Sequence, residues 1–239
     1  MSGPEPARSE DDRDRREHER VRELYEGHYT QDRYRRMWSG PSVRIIHEGK
    51  WKTIQAVLGA LRGAPEPVLD LGAGVGIDCV EFDRLGVERG RLVAVDLVAQ
   101  DLRAAPVRLP GLLATLGDAA RLPFRDGSAG LVFQSTMISS VLETARRAAI
   151  YAEVARVLRS GGCFLSYDTR YPNPWNRHTR PVRLGELRRA FPGWTVRSRS
   201  LTLLPPLLRA LAPLSVGLCR GLEALPPLRS HLVAWAVKP

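Results

Sequence analysis

The run Val68-Leu69-Asp70-Leu71-Gly72-Ala73-Gly74-Val75-Gly76 constrains this chain more than any other stretch: apolar β-formers that reach an acid, followed at once by three alternating glycines. Such a run predicts a buried strand turning sharply into a helix, and the glycines let backbone approach a ligand with no Cβ in the way. That combination is a cofactor cradle. Its spacing excludes the dinucleotide fingerprint, whose third glycine falls three positions after the second; here that position is Ile77, and Gly76 follows Gly74 by two.

Three later stretches bear on which cofactor the cradle takes. The strand candidate Arg91-Leu92-Val93-Ala94-Val95-Asp96 ends in an acid about twenty residues beyond the glycines, where a carboxylate can accept from both hydroxyls of a ribose. Further on, Leu116-Gly117-Asp118-Ala119-Ala120-Arg121-Leu122-Pro123-Phe124 leads into the apolar run Leu131-Val132-Phe133. In Tyr151 to Gly162, the residues Ile150, Val154, Val157 and Leu158 share one helical face, the paired glycines are expected to end the helix, and Cys163 to Tyr167 starts a strand.

Together these four ordered motifs resemble the class I S-adenosylmethionine-dependent methyltransferases, in particular the ubiquinone/menaquinone-biosynthesis-like branch ("methyltransferase type 11"). That resemblance covers roughly Val68 to Tyr167. It implies S-adenosyl-L-methionine as cofactor, with S-adenosyl-L-homocysteine as product. Asp70, Gly72, Ala73, Gly74 and Gly76 fall at the cofactor turn, Asp96 at the ribose, and Asp118 at the adenine amine, with Leu97, Ala119 and Gln134 among the binding residues. Relatives usually carry Pro before the glycine pair, where this chain has Ser160. They also fold a Tyr-rich N-terminal helix over the cofactor, a role open here to Tyr25, Tyr29, Tyr34 or Arg33, of which Tyr25 and Tyr34 are taken as candidates.

Alternating strand and helix patterns from Val68 onward favour an α/β fold. The expectation is a Rossmann-like, doubly wound, mostly parallel seven-stranded sheet with helices on both faces; the family's antiparallel final hairpin is carried over by resemblance. Strands are predicted near Val68 to Leu71, Leu92 to Asp96, Leu113 to Leu116, Gly130 to Gln134, Cys163 to Tyr167, Thr195 to Leu201 and His231 to Val237. Residues 1–20, highly charged and poor in large apolar side chains, are expected to be a disordered tail. Residues 21–62 read as an N-terminal helical cover, with a helix over Val43 to Leu61, and 63–239 as the cofactor-binding domain. Within that domain an apolar helical insertion, 203–230, carries leucines at helical spacing between Pro205-Pro206 and Pro226-Pro227. It reads as a cap on the core, a lid over an apolar substrate, or a membrane-surface or dimer contact; its apolar stretch is too short to cross a bilayer.

The formal net charge of +10 comes almost entirely from scattered arginines, and their clusters lack the interleaved aromatics of a stacking platform. Nucleic acid is accordingly disfavoured as partner. Cys79, Cys163 and Cys219 are odd in number and widely spaced, which argues against a disulfide framework and points to a cytoplasmic protein; a monomer or a homodimer is expected. No metal-ligand spacing stands out, so no metal is assigned.

Methyl transfer needs an acceptor aligned with the methyl carbon and, for a hydroxyl, a base within reach. The loop after the fifth predicted strand, Tyr167 to His178, offers Asp168 or His178 as base, with Arg170 and Asn173 to orient an anionic or hydroxylated acceptor; His28 and His47 are further possible bases. O-methylation of a small molecule (specialised metabolite, glycan or peptide carboxylate) is the favoured reading. An RNA or protein N-methyltransferase lacks its expected Asn/Asp-Pro-Pro-Tyr motif, since Gln134-Ser135-Thr136-Met137 stands there. A non-catalytic binding subunit is the third reading, opposed by the intact acids and glycines.

Overall fold

The computed structural model describes residues 10–28, 40–173 and 176–239. Among them, seven strands form one sheet: β1 (Val68–Leu71), β2 (Leu92–Asp96), β3 (Leu113–Leu116), β4 (Ala129–Ser135), β5 (Leu158–Thr169), β6 (Thr195–Leu203) and β7 (Arg229–Val237). Their spatial order is β3-β2-β1-β4-β5-β7-β6. The pairs from β3 through β5 are parallel, and β7 runs antiparallel to both β5 and β6. Strand order reverses direction between β1 and β4, so a crevice opens outside their carboxyl ends.

The central strands read as continuous apolar runs because both their faces are covered. One face receives α2 (Pro41–Ala60) and α3 (Ile77–Arg84), whose Trp51 and Phe82 meet Phe133 of β4 in a tilted and an edge ring contact, centres 6.0 and 5.2 Å apart. The short helices α4 (Ala99–Leu102) and α5 (Ala105–Arg108) extend that layer toward β3. The other face receives α6 (Thr144–Val157) and α7 (Leu184–Ala190), with Tyr151, Phe164 and Phe191 at its centre. Strand β6 forms one edge, where Arg197 and Arg199 are exposed, as suits an edge that must not pair further.

Three expectations are corrected. Residues 10–20 are not a disordered tail: α1 (Glu10–Glu23) docks on α6, with Glu17 only 5 % exposed. Its anchoring is polar, which hydropathy does not register: Glu17 accepts from the Leu142 N–H, and Asp14 accepts from Arg146 at 2.7 Å. Second, the boundary drawn at residue 63 does not separate two packing units: α2, which falls where a helix over Val43 to Leu61 is expected, is a layer of the main core through Trp51, Ile54, Val57 and Leu58. Third, α6 ends at Val157, before the glycine pair, and β5 already begins at Leu158. Gly161, at φ +75°, lies in the irregularity where pairing with β4 jumps from Ala129↔Leu158 to Leu131↔Cys163.

The insertion folds as α8 (Pro205–Leu211) and α9 (Val216–Glu223). Leu208, Ala212 and Cys219 pack with Ile45 and Leu203 in a small third cluster, the geometry of a cap on α2 and β6. Leu214, Leu218 and Leu225 remain exposed. Among the described residues no helix is long and apolar enough to cross a membrane.

Candidate functional site

The glycine turn after β1 is held by its neighbour strand: the N–H groups of Gly72 and Ala73 donate to the Val95 carbonyl at 2.8 and 3.2 Å. All three glycines adopt left-handed backbone, yet for different reasons. A Cβ on Gly72 would lie 2.6 Å from Met137 Cγ, and one on Gly76 would lie 2.9 Å from Ala105 Cβ, so these two allow close packing. Gly74, at φ +52°, has nothing within 4 Å of its virtual Cβ. It presents bare backbone to open space, which is the cradle the sequence predicts.

That space is a cavity of about 220 Å³. It is walled by Gly72 and Gly74, by Asp96, Leu97 and Val98 at the end of β2, by Gly117, Asp118 and Ala119 after β3, and by Ser135, Thr136 and Met137 after β4. Arg146 and Ile150 of α6 close one side, and Val21 and Tyr25 close it from the N-terminal segment. The Tyr25 hydroxyl is 2.6 Å from Ser140 Oγ.

Two carboxylates face the cavity in different electrostatic states. Asp96 accepts from the Gly74 N–H at 2.7 Å and the Val98 N–H at 2.8 Å, yet burial outweighs these bonds and raises its pKa. For Asp118 burial would raise the pKa too, but the Ala120 N–H at 2.9 Å and Arg146 at 2.8 Å outweigh it and hold the carboxyl below its usual range. His18 of α1 reaches the same Asp118 oxygen at 3.3 Å. Arg146, 4 % exposed, thus ties Asp118 to Asp14 and seats α1 over this end of the cavity.

Of the residues predicted for the cofactor, Gly72, Gly74, Asp96, Leu97, Asp118, Ala119 and Tyr25 line the cavity. Ala73 and Gly76 belong to the turn without lining it. Asp70 lies beneath, 2 % exposed, accepting from the Cys79 thiol at 3.3 Å; burial raises its pKa well above the usual range. Gln134 does not line the cavity: its side chain is buried, takes the N–H groups of Met137 and Ile138 at 2.9 and 3.2 Å, and so shapes the wall from behind. Tyr34, with Tyr29 and Arg33, lies outside the described residues.

The predicted bases fare differently. Asp168 is 0 % exposed, and its oxygens accept from Ser139 N at 3.1 Å, Gln134 Nε2 at 3.2 Å and Thr169 N at 2.8 Å. Burial pushes it up to about 6; it does not line the cavity, and its bonds to Ser139 and Gln134 hold the loop after β4. His178 and Asn173 are exposed, and Arg170 stacks over Tyr171 with its guanidinium 4.6 Å from the ring centre; none of them lines the cavity. His47 faces Glu81 at 3.1 Å, and the side chain of His28 lies outside the described residues.

Sequence reasoning missed Arg146, His18 and Thr136. The first two carry only polar, long-range contacts, which no periodicity signals. Thr136 is a non-glycine residue at φ +58°, a conformation costing roughly 1–2 kcal/mol. Its N–H donates to Tyr167 O at 2.8 Å and its carbonyl accepts from Ser139 at 3.1 Å, which holds it there.

A seven-stranded sheet of this order, with a cavity across the ends of β1 to β4, is the fold of S-adenosylmethionine-dependent methyltransferases of solved structure, and the segment that carries β1 to β4 matches a methyltransferase family. The family described as "Methyltransferase domain" matches residues 69–166. Demethylmenaquinone methyltransferase of Beutenbergia cavernae is 37 % identical over 123 residues, 51 % of this chain and 48 % of that protein. An uncharacterized methyltransferase of Mycobacterium tuberculosis is 36 % identical over 135 residues, 56 % and 49 % of the two chains. The chain thus spans about half the length of the curated relatives it matches. Among solved structures, phosphoethanolamine N-methyltransferase 2 of Haemonchus contortus, in complex with S-adenosyl-L-methionine, superposes with a TM-score of 0.65 at 18 % identity. That alignment covers 92 % of this chain and 60 % of that one. Geranyl diphosphate C-methyltransferase of Streptomyces coelicolor gives 0.59 at 18 % identity, covering 79 % and 77 %. Likeness at that identity establishes the fold.

Proposed function

We propose that this protein transfers the methyl group of S-adenosyl-L-methionine to an oxygen of a small molecule (a specialised metabolite, a glycan or a peptide carboxylate). The observation that carries the cofactor half of this reading is the open cradle at Gly74 with the Asp96 carboxylate bonded to its N–H at the cavity wall. When bound, S-adenosyl-L-methionine supplies an electrophilic methyl on a positively charged sulphur. Asp96 is the residue to hold the ribose hydroxyls, Asp118 and Ala119 the adenine, and Gly72 and Gly74 the methionine side, while α1 with Tyr25 and Val21 excludes water from above. Oxygen as the acceptor atom rests on base rates within this family and on the missing Pro-Pro-Tyr-type motif at Gln134 to Met137. Positioning supplies most of the acceleration in such a displacement.

The reading is tested with S-adenosyl-L-methionine carrying a tritiated methyl and a panel of phenols, sugars and carboxylic acids. Label recovered in an ether or in an alkali-labile ester supports it; label recovered only on nitrogen or carbon overturns the choice of oxygen.

A further inference from the structure

Exposed apolar side chains are not spread evenly over this molecule. Of the eight large ones exposed among the described residues, Leu207, Leu214, Leu218 and Leu225 all belong to the insertion between β6 and β7. Ser215 caps α9, accepting from the Leu218 N–H at 3.2 Å, which sets Leu214 just ahead of the helix and four positions before Leu218. Leu208 and Cys219, each 1 % exposed, take the inward side and hold the insertion on Ile45 and Leu203, and the outward leucines are not part of that cluster. A helix pair with one buried side and one bare apolar side, fixed to a sheet, offers the bare side to something outside the fold.

The charge around this surface is one-sided. From Leu204 to Leu228 the charged residues are Arg209, Arg220 and Glu223. Both arginines are exposed, whereas the Glu223 carboxylate is turned to β6, where it accepts from the Thr202 N–H. Beside the insertion on α2, Glu48 stands between Arg44 and Arg220, each 3.6 Å away, so one carboxylate is shared by two guanidinium groups. Arg197 and Arg199 alternate along β6 in phase with Leu201, which packs in the α2-side core, so both arginines share the face that α2 covers, and both are exposed at its edge.

We infer that the outer side of α8 and α9 docks on an anionic bilayer surface, with Leu207, Leu214, Leu218 and Leu225 entering the boundary between headgroups and acyl chains and the surrounding arginines meeting anionic headgroups. The inference goes beyond the methyltransferase reading and does not depend on it. Helices of seven and eight residues lie along such a surface and do not cross it. A second copy of the chain fits the patch less well: a two-fold contact sets Arg209 and Arg220 against the same surface of the partner, and Glu48, the carboxylate at hand, is already held by two arginines. An anionic bilayer supplies negative charge and an apolar layer to one patch at once. The insertion leaves β6 and enters β7 at the carboxyl end of β5, the end of the sheet at which the cavity opens, so docking brings that end to the lipid.

The test is flotation of the full-length protein with vesicles of phosphatidylcholine alone and of phosphatidylcholine mixed equally with phosphatidylglycerol, at low and high salt. Wild type is expected to bind the anionic vesicles at least tenfold more tightly than the neutral ones, and less tightly as salt rises. The double variant Leu214→Ser/Leu218→Ser, which leaves every charge in place, is expected to weaken that binding at least tenfold. Val107→Ser removes a side chain of α5 that is 82 % exposed near the β3 edge of the sheet, and is expected to leave binding unchanged. Circular dichroism checks that each variant is folded. Wild type that binds neither vesicle, or both alike, overturns the inference. A double variant that binds as wild type does, or a Val107→Ser that loses as much as the double variant, also overturns it, because net charge or general stickiness would then draw the protein to lipid. Equilibrium sedimentation that finds a lipid-free dimer, lost in the double variant, overturns it in favour of a second copy.

Discussion

On the β3-β2-β1 side of the sheet the cavity is walled by backbone and short side chains: Gly72, Gly74, Gly117, Ala119, and two carboxylates at strand ends. On its other side the cavity is walled by larger side chains brought together from distant elements, Arg146 and Ile150 from α6 and Val21 and Tyr25 from the N-terminal segment. The first side uses backbone geometry, which only glycine and a strand-end acid can provide, and so writes itself into local sequence. The second uses side-chain chemistry, which many residues at many positions could supply. The wall built of backbone is therefore legible in local sequence, and the wall built of distant side chains is not.

The comparison breaks most visibly at the glycines. Gly72→Ala combines a left-handed φ with a 2.6 Å approach to Met137, and should cost about 3 kcal/mol of stability, enough to lower the yield of folded protein. Gly74→Ala meets no neighbour and should cost only about 1 kcal/mol, measured by urea denaturation, yet weaken S-adenosylhomocysteine tenfold or more. Equal stability losses in the two variants would remove the distinction between a packing glycine and a cradle glycine.

The next effect concerns the carboxylate that sequence places in the site and the structure turns inward. Asp168 is raised to about 6 in the folded protein, against about 3.9 when unfolded. Its protonated form is therefore favoured by folding, so its stabilising contribution is full below about pH 4 and is lost as pH rises through about 6. Relative to wild type, Asp168→Asn should flatten that part of the stability curve by about 2–3 kcal/mol. A variant whose curve parallels the wild type between pH 4 and 6 would mean the carboxylate titrates normally and is open to the cavity.

A smaller pair sharpens the reading of the insertion. Leu208→Ala, in the cluster with Ile45, should cost about 2 kcal/mol. Leu214→Ser, at a side chain 79 % exposed, should change stability by less than about 0.5 kcal/mol. Similar losses at both positions would show that the exposed leucines are covered in solution, and sedimentation would then tell a dimer from a monomer.

What the sequence revealed follows the same division. Strands β1, β2 and β3 fall where the apolar runs end in acid or glycine, at the residues predicted. β5, β6 and β7 extend beyond their predicted limits because ladder pairing, and not composition, carries them through Thr169, Leu203 and Arg229. Asp96 was legible from its place at the end of β2, and Asp118 from the family resemblance of the segment that follows β3. Arg146 was not, because a buried arginine on α6 looks like any solvated helical charge until Asp14 and Asp118 are brought to it. Helix α1 was hidden for the same reason: its order rests on Glu17, Asp14 and His18 meeting fixed partners, which a count of apolar residues cannot register. Asp168 was legible as a residue near the crevice, but which face of β5 it takes depends on register, and register set it toward Gln134.

The central claim is that the cavity at the carboxyl ends of β1 to β4 holds S-adenosyl-L-methionine through Asp96. Calorimetric titration of wild type and Asp96→Ala with S-adenosylmethionine, S-adenosylhomocysteine and NAD tests it directly. The account predicts binding of the first two and not of NAD, weakened at least tenfold by the substitution, as loss of charge-assisted bonds worth about 1.5–3 kcal/mol requires. Undiminished binding in Asp96→Ala, or a wild type that binds neither compound, would contradict it.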